Sequence, residues 1–126
     1  MQDRGWWLGA ALSGALVVMA GAFGAHALEG ALAPRLVAAF ETGVRYQAWH
    51  TLALLAVLAW RGTAPLAGQR LAMGLWAAGI ALFSGSLYAM ALTGARGLGM
   101  ITPVGGVLMI AGWLALAAAV RRAPRA

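Results

Sequence analysis

The chain has 126 residues, of which 63% are hydrophobic and only 10% are charged. A soluble domain of this length needs a surface with roughly 25% charged residues, so the composition excludes a water-soluble globule and indicates a protein dissolved mainly in lipid. Cysteine is absent, which excludes disulfides, thiolate metal sites and a cysteine nucleophile. All nine basic residues are arginines, most of them single residues between apolar runs. This pattern indicates membrane topology and not nucleic-acid binding.

The first apolar run covers about residues 6–26, which is enough to cross a hydrocarbon core of ~30 Å. Trp6 and Trp7 open it, at the level where aromatic belts lie. The sequence Ala25-His26-Ala27 is similar to a signal-peptide cleavage site. However, the run is longer than an ordinary signal-peptide core, and its single flanking arginine is offset by Asp3. We therefore expect a retained first span.

A less apolar stretch follows and predicts a short interfacial helix over residues 34–42. Pro34 fits a first helical turn, and the apolar residues after it recur at helical spacing. Gly43 is a natural place for a bend or a close contact before a second span over residues 44–60.

Two further spans are predicted over residues 71–93 and 98–120. Breakers fill the connection 61–70, and Thr102-Pro103 suits the opening of the last helix. Short connections make neighbouring spans antiparallel. The sequence therefore predicts one domain over residues 1–126: an all-α membrane protein, built as a four-helix transmembrane bundle with a short interfacial helix between spans 1 and 2.

Arginine counting predicts the orientation of this bundle. With four spans, the side that carries both termini and the central connection has six arginines, and the opposite side has three. Because positively charged segments stay in the cytoplasm, we expect a multi-pass protein of the inner (plasma) membrane with cytoplasmic N- and C-termini.

Eighteen glycines need a physical reason in a helical protein, since each costs about 1 kcal/mol relative to alanine inside a helix. In membranes, small residues four apart allow helices to approach closely. The rows with small residues at such spacing are Gly5, Gly9 and Ser13; Gly21 and Ala25; Gly85 and Ala89; and, as a face of the last span, Gly105, Met109 and Gly112. We expect most rows to pack within the bundle; the alternative is that one row is left over for another subunit.

Polar side chains concentrate at the start of the second span. The candidates for a ligand-binding or structural cluster are Glu41, Arg45, Tyr46, Gln47, His50 and His26, with Ser84, Ser86, Tyr88 and Thr102 as contributors. Glu41 and Arg45 are one helical turn apart and can pair, as can Tyr46 and His50. We expect these four side chains to line one sector of the helix.

Three interpretations of this cluster are open. In the favoured one, the side chains satisfy one another's hydrogen bonds and fix the interfacial helix to the bundle. In the second, they line an outward-facing pocket for a ligand or a lipid headgroup, with Arg45 contacting the anion. In the third, His26 and His50 lie at similar depth on antiparallel helices and form a haem or metal site. We expect no cofactor and no metal.

Catalytic chemistry is poorly supported by the sequence. It contains no nucleophile elbow, and Glu29 and Glu41 are the only glutamates. A proton-coupled exporter would be expected to bury a carboxylate in the middle of a span, and none of the four predicted spans has one. The missing carboxylate argues against an exporter, and the lack of recognisable catalytic groups leads us to expect a protein that is not an enzyme.

Four motifs, in this order, resemble one known family: GAFGAH at 21–26, ETGVRYQ with the following histidine at 41–50, FSGSLY at 83–88 and ITPVGG at 101–106. The chain resembles the domain-of-unknown-function 423 family, which groups YgdD-type bacterial inner-membrane proteins with the transmembrane protein 256-like proteins of eukaryotes. Ala27 and Trp49 depart mildly from the usual Gly and Tyr. The resemblance implies a small polytopic membrane protein and brings no established activity.

The leading functional hypothesis is a non-enzymatic protein that binds or supports other membrane components, as an accessory or assembly subunit. The alternative is a ligand-binding or transport protein that uses the Arg/Glu/Tyr/His pocket. The expected partners are the lipid bilayer and either a membrane-protein complex or a homo-oligomer, reached through Gly/Ala-rich helix faces. No nucleic-acid partner is expected.

Overall fold

The structure, a computed structural model, describes residues 1–125 and is built from four helices in series. Helix α1 covers Arg4–Phe23 and continues as a wider π-helical turn over Gly24–Leu28. Helix α2 covers Pro34–Thr63, α3 covers Gln69–Thr93 and α4 covers Thr102–Arg122, after a 3₁₀ turn over Arg96–Met100. The described residues contain no strand. The predicted all-α membrane bundle is confirmed.

The helices begin and end at residues with a local reason to do so. Pro34 and Pro103 lie in the first turns of α2 and α4, where a missing N–H leaves no carbonyl unsatisfied. Helix α3 starts after Gly68 (φ 102°) and ends at Gly94 (φ 74°). Side chains disfavour these left-handed backbone conformations, so glycine is the suitable residue at both ends.

Helix α2 is continuous, so residues 34–42 form its beginning and not a separate element. Of the two roles predicted for Gly43, a bend or a close contact, the structure shows the close contact. Gly43 lies against α3, where a Cβ atom would come within 2.8 Å of the Tyr88 ring. The glycine therefore allows α2 and α3 to pack closely. The position of residues 34–42 at the membrane interface stays a prediction.

Three helical segments within residues 1–125 are long and apolar enough to cross a membrane: Arg4–Leu28, Gln69–Thr93 and Arg96–Arg122. Helix α2 is longer than any of them, about 45 Å at 1.5 Å per residue. Residues 34–45 carry three charged side chains, and the polar Tyr46, Gln47 and His50 follow them, so the mean hydropathy of α2 is too low for this group. Because α2 packs against both α1 and α3, a fourth crossing by α2 remains our prediction.

Each helix packs against its neighbours along the chain, and α3 and α4 form the most extensive contact. Gly105 and Gly112 of α4, seven residues apart, face α3. A Cβ atom on Gly112 would lie 2.5 Å from the Trp76 ring, and one on Gly105 would meet the backbone of Phe83. The face predicted from Gly105, Met109 and Gly112 therefore packs inside the chain.

Two apolar clusters fill the bundle, separated along its axis. Near the end that carries both termini, the buried members are Ala10, Leu54, Val57, Leu58, Met73 and Trp76. Near the opposite end, they are Leu28, Val37, Phe40 and Ala91. Apart from Gln69 at the start of α3, the buried polar residues of α2 and α3 lie between the two clusters along these helices. This polar layer contains several of the residues that the sequence singles out.

Candidate functional site

Helix α2 points its polar side chains in three directions. Successive residues are rotated by roughly 100°, so the pair Glu41 and Arg45 lies roughly 140° around the helix from the pair Tyr46 and His50. Glu41 and Arg45 are exposed, whereas Gln47 and His50 are buried. The prediction that all four side chains line one sector is wrong. The expected Glu41–Arg45 ion pair is also absent from residues 1–125, where both ion pairs involve Asp3.

Gln47 is the centre of a hydrogen-bonded layer that joins α1, α2 and α3. Its Nε2 donates to Ser13 Oγ over 3.0 Å, and its Oε1 accepts a 2.6 Å hydrogen bond from the Tyr88 hydroxyl. Ser13 Oγ also lies 2.7 Å from Thr51 Oγ1. Ser84 adds a 2.6 Å hydrogen bond to the carbonyl of Gly43. In a surrounding without water, each of these groups would otherwise lack a partner.

His50 faces the other way, into an aromatic group between α2 and α4. Its Nδ1 lies 2.7 Å from the Tyr46 carbonyl oxygen, and its Nε2 lies 3.0 Å from Trp113 Nε1. A carbonyl only accepts and an indole N–H only donates. The imidazole is therefore neutral, with its hydrogen on Nδ1, and both of its nitrogens are already used. The Trp76 and Trp113 rings, 4.5 Å apart, pack edge-on around it.

His26 and His50 do not lie at similar depth, so that prediction is wrong. The contacts of Gly24 with Phe40 and of Gly14 with Thr51 set the register of α1 against α2. In this register His26 is level with about residue 38, some twelve residues from His50, or about 18 Å along the helix. His26 is also exposed. The two imidazoles therefore cannot ligate one haem iron or metal ion in this arrangement.

The remaining contributors are divided between two interfaces. Ser84 and Tyr88 of α3 join the layer around Gln47. Ser86 lies on the opposite side of α3, where its hydroxyl is 2.6 Å from that of Thr102 at the start of α4. The residues predicted as one cluster thus belong to four separate places: the polar layer, the aromatic group of His50, the contact between α3 and α4, and the exposed surface.

The sequence pattern alone indicates neither Ser13 nor Thr51 as a site residue, although both belong to the polar layer. Thr51 follows Gln47 by one turn, which places the two on one face of α2. Ser13 belongs to the small-residue row of α1, and only the register of α1 on α2 brings it to Gln47. Trp113 was missed for the same reason, because its role depends on where α4 crosses α2.

An open groove runs between α1 and α3, with the polar layer at its floor. One half, of about 440 Å³, is lined by small residues that include Gly5, Gly9 and Ala77. The other half, of about 640 Å³, is bordered by Gly85 and has Gln47 among its lining residues. The groove is open and its wall is apolar. Lipid chains or another apolar helix can therefore occupy it.

The end with both termini is held together by Asp3, whose side chain is only 7% exposed. Its carboxylate accepts from Arg70 Nη2 over 2.7 Å and from Arg61 Nε over 3.1 Å. These partners, Arg70 first, lower the pKa of the Asp3 carboxyl below its usual value of 3.8, although burial acts in the opposite direction. The pairs connect the start of α1 with the end of α2 and the start of α3.

Asp3 should make the stability of the protein sensitive to acid. A carboxyl whose pKa is lowered by folding stabilises the protein above its usual pKa and loses that contribution as the pH falls through the lowered value. We expect the melting temperature in mild detergent to fall once the pH is lower than about 4. The Asp3→Asn variant should lack the part of this fall that comes from protonation of Asp3. Glu41→Gln, at an exposed carboxyl of the other end, is the control and should follow the wild type. Equal acid sensitivity of Asp3→Asn and wild type would contradict the assignment.

Comparison with known proteins gives consistent relatives. Residues 20–106 match the family model described as protein of unknown function (DUF423). The chain is 45% identical over 107 residues to a UPF0382 membrane protein of Haemophilus influenzae, covering 85% of this chain and 86% of the relative. It is 41% identical over 128 residues to the UPF0382 inner membrane protein YgdD of Escherichia coli, covering 96% and 93%. No solved structure matches the chain.

Proposed function

The chain belongs to the family described as protein of unknown function (DUF423), and from this premise we propose that it is a non-enzymatic accessory subunit that binds another membrane protein. The proposed binding surface is the groove between α1 and α3. Its occupant would be an apolar transmembrane helix of the partner. The relatives are named only as membrane proteins, so the support comes from the geometry of this chain.

The observation that carries the proposal is a difference between two groups of glycines. Gly79, Gly105 and Gly112 are used inside the chain, because a Cβ atom at each would collide with the neighbouring helix. Gly5, Gly9 and Gly85 line the groove, and a Cβ atom at any of them would meet nothing within 4 Å.

Open glycines in helices are unfavourable unless something uses them. Each costs about 1 kcal/mol relative to alanine, and Gly5, Gly9 and Gly85 gain no close contact within the chain to offset that cost. In membranes, such rows let the backbone of a second helix approach closely enough for extensive van der Waals contact. Beside Gly85 the α1 wall is formed by the larger Leu16 and Met19, whereas in the half next to Gly5 and Gly9 the lining from α3 includes Ala77. A helix seated in that half would contact small residues on both sides.

The test compares Gly9→Leu with Ala11→Leu, which adds a similar volume on the exposed opposite side of α1. Full-length protein is extracted gently from its own membrane and studied by native mass spectrometry. We expect the wild type and Ala11→Leu to retain a partner protein, and Gly9→Leu to lose at least 90% of it while the helical circular dichroism stays unchanged. Equal retention by both variants, or a wild type that carries no protein partner, would refute the proposal.

The alternative function, a ligand-binding or transport site at the Arg/Glu/Tyr/His residues, has narrower support. Glu41 and Arg45 line a shallow hollow of about 270 Å³ between α1 and α2. Tyr46 and His50 belong to the aromatic side of α2 and His26 is exposed elsewhere, so this site would rest on two charged side chains.

We also propose the orientation that the arginines indicate, a multi-pass protein with both termini in the cytoplasm. Six arginines belong to the end with both termini and three to the opposite end. Because basic segments are retained in the cytoplasm, this asymmetry supports the orientation.

A further inference from the structure

The end of the bundle that carries both termini has a strong excess of positive charge. It has six arginines against the single carboxylate of Asp3, whereas the opposite end has three arginines against two glutamates. The six are Arg4, Arg61, Arg70, Arg121, Arg122 and Arg125. The Asp3 side chain is nearly buried between Arg61 and Arg70, so within residues 1–125 no acidic side chain at this end is left to pair with the other four arginines.

Arg70 is both exposed and held in place. Its side chain is 63% exposed, yet its Nη2 is fixed by the 2.7 Å ion pair with Asp3. The preceding residue, Gln69, is fully buried and fixes the connection by accepting a 2.8 Å hydrogen bond from the backbone N–H of Leu66. The remaining N–H donors of the Arg70 guanidinium are therefore presented from a rigid support.

A second guanidinium reaches the same connection from α4. Arg122 Nη2 lies 3.7 Å from the position that a Cβ atom would take on Gly68. Arg122 thus lies beside Gly68, which is two residues before Arg70 in the chain. Arg122 is exposed and takes no part in the Asp3 ion pairs.

The tryptophans at this end of the bundle indicate that these arginines lie at the depth of the lipid headgroups in the membrane. Trp6 and Trp7 lie in the first turn of α1, and Trp60 lies in the last turn of α2, at the same end of the bundle. Tryptophan collects at the boundary between hydrocarbon and headgroups. A guanidinium group binds phosphate through parallel N–H donors, which makes arginine well suited to a phosphodiester at this depth.

We propose that Arg70 and Arg122 form a binding site for the headgroup of an anionic phospholipid at the end with both termini. The phosphate is bound by the two guanidinium groups, and the acyl chains lie along the apolar helices. Neither arginine lines the groove between α1 and α3, so this proposal and the proposed partner-binding function can fail independently.

The test titrates purified full-length protein in a mild non-ionic detergent with phosphatidylglycerol, with phosphatidylcholine in parallel, and counts bound lipids by native mass spectrometry. The variant is Arg70→Gln/Arg122→Gln. The matched control is Arg35→Gln/Arg96→Gln, which removes the same charge from exposed arginines at the opposite end. We expect phosphatidylglycerol to bind about 25-fold more weakly to the first variant, from roughly fivefold for each of the two arginines at an anionic lipid surface. The control should change less than threefold.

Several results would overturn the proposal. One is an equal loss in both double variants, which would mean diffuse attraction by net charge. Another is equal binding of phosphatidylcholine and phosphatidylglycerol by the wild type. A third is displacement of the lipid by millimolar inorganic phosphate, which would assign the site to a free anion. If the double variant fails to fold, Arg122→Gln alone serves, and its affinity should fall about fivefold; an unchanged affinity would also refute the site.

Discussion

Replacing Gly105 by alanine is expected to destabilise the bundle by about 3 kcal/mol, because α4 would have to move away from α3. The added Cβ atom would collide with the backbone N of Phe83 and come within 2.8 Å of its Cα. Backbone atoms in a helix cannot rotate away as a flexible side chain can. The whole α3–α4 contact, the most extensive in the protein, would have to adjust.

The adjacent glycine provides a matched control. A Cβ atom on Gly106 would meet only the ring of Phe83, at 3.7 Å, which is an ordinary van der Waals distance. Gly106→Ala should therefore be neutral or stabilise the helix by up to about 1 kcal/mol. Thermal unfolding in mild detergent, followed by circular dichroism, measures both variants. Similar melting temperatures for Gly105→Ala and Gly106→Ala would contradict the close packing of α3 on α4.

Replacing Gln47 by leucine should destabilise the protein by about 1–3 kcal/mol, although the two side chains are similar in size. The Tyr88 hydroxyl would lose the acceptor that now lies 2.6 Å away, and Ser13 would lose the Nε2 donor. Leaving a buried polar group without a partner costs its full desolvation energy. At about 4 °C per kcal/mol, the melting temperature should fall by roughly 4–12 °C.

A double-mutant cycle separates the hydrogen bond from packing. Tyr88→Phe removes the orphaned hydroxyl, so Gln47→Leu/Tyr88→Phe should be less destabilised than the sum of the two single variants. A coupling energy of about 1 kcal/mol would fit measured hydrogen bonds between membrane helices. Strict additivity would show that Gln47 and Tyr88 do not stabilise the bundle through their mutual hydrogen bond.

The candidate site shows why side-chain clusters are harder to predict than helices. Glu41, Arg45, Tyr46 and His50 are close in sequence, but a helix distributes neighbours around its axis. Which of those directions faces another helix depends on how α1, α3 and α4 are arranged around α2. Gln47 belongs to a three-helix network because its hydrogen-bond partners, Ser13 and Tyr88, lie on two other helices that are distant from it in sequence.

The sequence by itself determined the solvent, the helical class and the family of this protein. These properties depend on local quantities: the length and hydropathy of apolar runs, the breakers between them and four short motifs. The same local signals placed the charge excess at the end with both termini, since antiparallel connection of the helices follows from short linkers.

Only the tertiary structure decided how the helices pair and which side chains meet. The register of α1 on α2 separates His26 from His50. The packing of α3 on α4 places Gly79, Gly105 and Gly112 against a neighbouring helix, whereas Gly5 and Gly9 of α1 have no such neighbour within the chain. Such choices depend on non-local contacts, in which one small residue must lie opposite one particular neighbour. Composition and periodicity are averages along one helix, so they carry no information about that partner.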